Sequence, residues 1–278
     1  MAWKWKYSPK EQLEDMSSLH PGLTGLQNLE NTCYMNAVLQ CLCSLTPLVQ
    51  YFLSGQWNTA LHEEIGESAT AFGCLVSDMW LGEFDYVSPE AFHSVFAKRY
   101  PTFSKRTQHD AQEFLICVLD DLHEAFKQPS QERQSPGAGA RSSSGTSIIT
   151  QLFEGQLSHG IRCLTCKAHS DRPESFTVLS LPIPSTRACS LQDCLECFFQ
   201  PDTLTLNNQI NCYWCGSNQD ATVKASITKA PPIIIFHLKR TRSEGNSQPP
   251  CATHSAIWIS LPTSPPRVAT LESTACVL

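Results

Sequence analysis

Two C-x-x-C pairs, Cys163 with Cys166 and Cys212 with Cys215, constrain this chain more than any other feature. Each pair can present two thiolates to one ion, and four thiolates complete a closed tetrahedral zinc site. The 45 residues between Cys166 and Cys212 exceed what a compact zinc ribbon needs. A helix and strands must therefore be inserted, and the chain must still return the second pair to the first. A four-thiolate set leaves no open position, so the expected zinc is structural. Cys194-Leu-Glu-Cys197 is a competing third pair. It lies in an apolar helical pattern with Leu191, Leu195 and Phe198, so Cys194 reads as a core residue. Cys189 and Cys197 carry no assigned role.

The surroundings of these pairs read as β. Phe153, Gly155, Leu157, His159 and Ile161 alternate with period 2 and run straight into Cys163. Residues 176–184 and 223–227 are strand-like, and PPIIIFHLKR at 231–240 is an apolar run bounded by prolines, the pattern of a central strand. Residues 190–199 form a short helix opened by Ser190 and Asp193. Upstream, residues 129–147 (PSQERQSPGAGARSSSGTS) have no periodicity and read as a disordered linker between two lobes.

The first lobe is helical. Residues 63–80 carry apolar side chains at helical spacing, and Ser88-Pro89 opens another helix, Ser as cap and Pro at its first position. Phe92, Val95 and Phe96 form the buried side of that helix. QHDAQEFLICVLDDLHEAF, 108–126, pairs an Asp110/Glu113 capping-box spacing with a full apolar face. His109 belongs to the polar entry of that helix. Residues 1–20 are polar with three aromatics and read as a loose arm.

Residues 22–44, GLTGLQNLENTCYMNAVLQCLCS, read as a polar turn feeding a helix. Met35, Val38, Leu39 and Leu42 make its apolar face, and Asn31 or Thr32 can cap its first turn. Cys33 then stands at the helix N-terminus, where the macrodipole stabilises a thiolate. Asn28, in the turn, offers a neutral carboxamide donor for an oxyanion. Most cysteines are small buried hydrophobes, and Cys41, Cys43, Cys74 and Cys117 read that way. Cys33 differs by its place behind a polar turn.

GL-x-N-L-x-NTCYMNA-x-LQCL resembles the Cys box of the ubiquitin-specific proteases, papain-like cysteine deubiquitinases, and QHDAQEFL is similar to their QQDA-x-EFL segment. The resemblance runs from Gly22 to Arg240. It implies that Cys33 is the nucleophile, that Asn28 helps form the oxyanion hole and that Asp110 binds the arginine-containing tail of ubiquitin through a charge-assisted bond. It also implies zinc-bearing fingers around Cys163, Cys166, Cys212 and Cys215. Glu30 departs from the pattern: the family usually has Gly there, and Glu adds bulk and negative charge beside the thiol.

Composition sets the remaining bounds. The 278 residues are 41% hydrophobic with a formal net charge of −6, which predicts a soluble globular protein and excludes nucleic acid as the main partner. Residues 1–10 have no apolar h-region, and no apolar run approaches the roughly 20 residues of a membrane span. The 14 cysteines are then expected to be reduced thiols and zinc ligands in the cytosol or nucleus.

After FHLKR the resemblance stops. Residues 241–278 are rich in Ser, Pro and Thr and suggest no strand pair. The family's Gly-Gly-His-Tyr-like segment, which carries the general base, does not appear, and the neighbours of His254 do not match it. The expected fold is α+β: a helical thumb (21–128), zinc-knuckle fingers and an incomplete palm (148–240), and a divergent tail (241–278). The expected function is thiol-dependent hydrolysis of ubiquitin conjugates, weak or absent in this chain without its base. The alternatives are a pseudoenzyme that binds ubiquitin or a partner protein, and a zinc-stabilised scaffold.

Overall fold

A computed structural model describes residues 22–55, 57, 66–80, 84–128, 145–184 and 190–239, with the backbone of strands at 255–260 and 276–277. The expected N-terminal arm, most of the linker and His254 lie outside the described residues. The chain divides into two compact units, Met1–Gln151 with Leu278, and Leu152–Val277.

The first unit is helical. A two-residue strand β1 (Gly25–Leu26) leads through a turn into α1 (Cys33–Leu42), then α2 (Thr46–Leu53) and α3 (Glu67–Trp80). Strand β2 (Tyr86–Val87) pairs in parallel with β1 and precedes α4 (Glu90–Arg99). A 3-10 turn (Pro101–Ser104) and a polar loop then enter α5 (Ala111–Phe126). The predicted start of α4 shifts by one residue. Pro89 is the cap, and Ser88 Oγ accepts from the Glu90 N–H at 3.4 Å.

The core of this unit is aromatic. Phe52, Phe72, Phe92, Phe96, Phe103, Phe114 and Phe126 are fully buried. Several meet edge-to-face, such as Phe52–Phe72 with ring centroids 5.1 Å apart, the arrangement the ring quadrupole favours. Gly73 in α3 makes room for it: a Cβ there would lie 3.0 Å from Phe52 and 3.1 Å from Trp57. One charge enters the interior. Asp121 of α5 has a side chain 2% exposed, with Arg99 Nε 3.0 Å away. No single helix among the described residues is long and apolar enough to cross a membrane.

The second unit is mainly β. Helix α6 (Ile148–Phe153) straddles the boundary, so Phe153 ends a helix instead of opening the strand that the period-2 pattern suggested. One antiparallel sheet has the order β4-β3-β9-β6, from β3 (Gly155–Cys163), β4 (His169–Phe176), β6 (Asp202–Leu204) and β9 (Ala221–Lys229). A hairpin of β7 (Ile210–Cys212) and β8 (Ser217–Gln219) stands beside it in sequence. A second sheet centres on β10 (Ile233–Lys239), parallel to β5 (Val178–Pro182). Helix α7 (Leu191–Phe199) opens on the reciprocal capping box of Ser190 and Asp193. Its Cys194 is buried with Leu157, Leu179, Leu181, Ile234 and Phe236, a core residue as its apolar neighbours predict.

The tail departs from expectation. The backbone of β11 (Ser255–Ser260) pairs antiparallel with β10 along its length, from Ile233↔Ser260 to Leu238↔Ser255, and β12 (Cys276–Val277) adds to β11. β10 is buried and needs partners for its backbone groups on both edges. The run Ala-Ile-Trp-Ile at 256–259 has the β-branched and aromatic composition that fills such a place.

The buried ion pair gives a test. Burial raises the Asp121 carboxyl above its ordinary range, while Arg99 and Ser68 pull it back. The folded state thus holds this proton more tightly than the unfolded chain. The associated stability is present below the ordinary carboxylate value and lost as pH rises through the raised one. Arg99→Met removes the opposing charge and leaves the carboxylate buried. We expect it to cost about 3 kcal/mol at pH 7, and less towards pH 4, measured by urea unfolding at both pH values.

Candidate active site and metal centre

Cys33 is the first residue of α1, and it is exposed. The turn before it is built on side-chain hydrogen bonds. Asn28 Oδ1 accepts from the Thr32 backbone N–H at 3.3 Å and from Thr32 Oγ1 at 3.0 Å, and Thr32 Oγ1 accepts from the Leu29 N–H at 2.9 Å. Thr32 is the N-cap residue, but its side chain makes no capping bond into the helix. The expected cap is thus replaced by a lock on the turn. With its carbonyl oxygen held by Thr32, Asn28 has its Nδ2 donors to offer an oxyanion. Glu30 and Asn31 sit at φ 67° and 53°. This is the left-handed region that Gly enters without cost, so Glu30 keeps the backbone shape that Gly would give.

Asp110 caps α5, where it accepts from the Gln112 N–H at 2.7 Å. It is half-buried. Helices α1 and α5 pack together, and two contacts join their entries. Asn31 Nδ2 donates to the Arg106 carbonyl at 3.2 Å, and the Tyr34 ring meets His109 edge-on at 5.3 Å. His109 also hydrogen-bonds Thr107 Oγ1 at 3.0 Å, so it belongs to the polar entry of α5. Tyr34 is buried against Phe103 and Phe114, and its hydroxyl has no hydrogen-bond partner among the described residues. Burial, then the charge of Cys33, push that phenol up to about 12. The unit therefore brings the segments of Cys33, Asn28 and Asp110 together.

The second unit assembles the four cysteines. The Sγ atoms of Cys163, Cys166, Cys212 and Cys215 all lie within 4.8 Å of one another. Cys163 to Cys215 is 3.9 Å and Cys166 to Cys212 is 3.6 Å. Four Zn–S bonds of about 2.3 Å in a tetrahedron place sulfurs about 3.8 Å apart, close to these two separations, so the set fits zinc. Both turns have one shape. The residue after the second cysteine has positive φ and returns its N–H to the first cysteine's carbonyl: Lys167 to Cys163 at 3.1 Å, Gly216 to Cys212 at 2.9 Å. The Cys166 backbone N–H, helped by that of Thr165, holds the Cys163 thiol down to about 6 against the upward push of burial. Cys215 is pushed up to about 12, first by its hydrogen bond with the Cys166 thiol. Cys163 thus ionises more readily than Cys215, because adjacent thiolates repel one another unless a cation joins them.

The profile of the ubiquitin carboxyl-terminal hydrolases matches residues 24–261. The chain belongs to this family. It is 30% identical over 232 residues to ubiquitin carboxyl-terminal hydrolase Usp2 of Drosophila melanogaster, covering 79% of this chain and 25% of that protein. It is 30% identical to ubiquitin carboxyl-terminal hydrolase 21 of Mus musculus, covering 84% of this chain and 48% of the relative. The chain thus spans between a quarter and a half of these relatives. In fold it is similar to the SAGA Ubp8/Sgf11/Sus1/Sgf73 DUB module bound to ubiquitin aldehyde. That match has a TM-score of 0.64 at 23% identity, over 81% of this chain and 48% of the other. A monoubiquitin-bound form of that module gives 0.65. The fold is the α+β fold of the ubiquitin-specific hydrolases.

The four cysteines that spacing selected are the ones that come together as a possible zinc site. Cys194, the competitor, lies in the core and outside the cluster. Sequence reasoning missed Asn36 and Gln40, whose side-chain amides grip the strand before Asn28. Their polarity on a helix with a clear apolar face was the available signal. Metal analysis of the purified chain should give about one zinc per chain, lost in a Cys163→Ser, Cys212→Ser double variant. Zinc that survives this change would place the metal elsewhere.

Proposed function

We propose that this chain acts on ubiquitin conjugates through Cys33. The observation that carries this reading is an exposed thiol at the first residue of α1, behind a turn in which Asn28 has its oxygen engaged and its N–H groups to give. Cys33 Sγ adds to the carbonyl carbon of ubiquitin's C-terminal glycine, and the C=O electrons move to oxygen. Asn28 Nδ2 donates to that oxyanion. Collapse expels the amine, which must gain a proton. Water then hydrolyses the thioester and restores the thiol. Asp110 holds an arginine of the ubiquitin tail, its carboxylate matching the planar fork of the guanidinium. Such an enzyme works where thiols stay reduced, in the cytosol or nucleus.

Turnover also needs a group that protonates the amine and activates the water. The 278 residues contain no Gly-Gly-His-Tyr-like segment to supply it. We therefore propose that this chain, taken alone, binds ubiquitin and turns conjugates over slowly or not at all.

A ubiquitin titration beside a turnover assay tests both parts. A ubiquitin C-terminal electrophile should label Cys33 slowly, and Cys33→Ala should abolish the label. Asp110→Asn keeps an N-cap acceptor for Gln112, since Asn and Asp cap equally well. It should weaken ubiquitin binding about tenfold with little change in unfolding midpoint, because only the charge is removed. Rapid multiple turnover that is lost on His254→Ala would overturn the slow-turnover proposal.

A further inference from the structure

The position of Asn28 depends on how the chain leaves β1. The ladder to β2 ends with the Gln27 N–H donating to the Val87 carbonyl at 2.9 Å, so the exit is anchored on one side. On the other side stands Asn36, in the first turn of α1. Its Nδ2 donates to the Gln27 carbonyl at 3.0 Å and the Leu26 carbonyl at 3.4 Å. One helical turn further, Gln40 Nε2 donates to the Thr24 carbonyl at 3.1 Å. Residues i and i+4 share a helix face, so the two amides lace α1 to the incoming strand. Both of Asn36's neighbours are carbonyl oxygens, which fixes its NH₂ towards them.

The cost of this arrangement is visible at the other end of the amide. Asn36 Oδ1 is buried and has no hydrogen-bond partner among the described residues. An unpaired buried acceptor destabilises a fold, and an apolar side chain would fill this place without that penalty. What the amide supplies is a grip on the two carbonyls that immediately precede Asn28.

We propose that Asn36 is a positioning residue for the oxyanion donor. By gripping Leu26 and Gln27 it sets the Asn28 carboxamide against the N-terminus of α1, where Cys33 stands. This inference rests on the role proposed for Asn28 and Cys33.

The test uses acyl transfer from a ubiquitin C-terminal thioester to Cys33, followed in a single turnover by mass spectrometry. The Sγ–C bond forms, the thioester C–S bond breaks and a thiolate leaves, so no proton donor is required. The variants are Asn36→Asp, which turns a carboxylate oxygen towards the two carbonyls, and Asn36→Leu, which removes the grip and the orphan acceptor together. Both should lower the plateau rate at least tenfold and change the half-saturating concentration less than twofold. Asn28→Ala should lower the plateau similarly, and adding Asn36→Leu to it should lower it little further. Hydrogen exchange at the amides of residues 27–32 should quicken at least tenfold in both Asn36 variants, with α5 unchanged. A wild-type plateau rate in folded Asn36→Leu overturns the proposal. So do multiplicative effects in the double variant. If the wild-type chain forms no acyl adduct, the reading of Cys33 fails, and the exchange result still decides: faster exchange at 27–32 supports the clamp, and unchanged exchange overturns it.

Discussion

The burial of Tyr34 against Phe103, Phe114 and His109 holds two helix entries side by side, and the candidate site depends on that contact. Tyr34 follows Cys33 and His109 precedes Asp110, so one aromatic cluster carries the proposed nucleophile on one flank and the proposed tail-binding carboxylate on the other. The rings are large, and their loss of water-exposed area supplies more stabilisation than the polar bonds around them. The cluster also accepts a penalty, because the Tyr34 hydroxyl finds no hydrogen-bond partner among the described residues. A fold driven by area tolerates one such orphan where the surrounding rings are well packed.

The second unit rests on a different constraint. Strands β7 and β8 contain three residues each, and a hairpin of that size does not persist in water by itself. Cys163 and Cys212 are buried, whereas Cys166 is exposed, so little apolar area surrounds the cluster. Metal–sulfur bonds at the four cysteines would replace the missing core, and the free energy of metal binding would become folding free energy. The N–H groups directed at Cys163 lower its thiol pKa and so favour the thiolate that a metal needs.

Much of this was legible in the sequence, for reasons that differ between residues. The apolar faces of α1 and α5 appear as a period, and paired C-x-x-C spacing predicts a shared ion because two turns of one shape can close on it. Other features depend on contacts distant in sequence. Thr32 looked like a helix cap and instead bonds Asn28 and Leu29, since a hydroxyl near several donors takes the best placed. Strand β11 was hidden in a tail rich in Ser and Pro, and its assignment follows from an edge of β10 that needed a partner. Phe153 fitted a period-2 pattern by coincidence and closes a six-residue helix. Asn36 showed only its polarity on an apolar-faced helix, which marks a residue turned from the core and not what it grips.

The loop between Asn28 and Cys33 draws these threads together. Two consecutive non-glycine residues, Glu30 and Asn31, hold positive φ there, at a cost of roughly 1–2 kcal/mol each. Such a conformation persists only where neighbouring bonds over-determine it. Here they do. Thr32 closes the loop from within, and Asn31 Nδ2 ties it to the Arg106 carbonyl from outside. Arg106 is in turn restrained by its guanidinium, which pairs with Glu90 Oε2 at 2.8 Å. An exposed ion pair of this kind contributes little stability by itself. Its value lies in where it acts, at the start of the segment that ends in Asp110. Asn31 tolerates the left-handed region better than most residues, so Glu30 bears the larger strain. A glycine at position 30 would relieve it but free the unfolded chain; glutamate restricts the loop and leaves the strain to be carried by the contacts that join the two halves of the site.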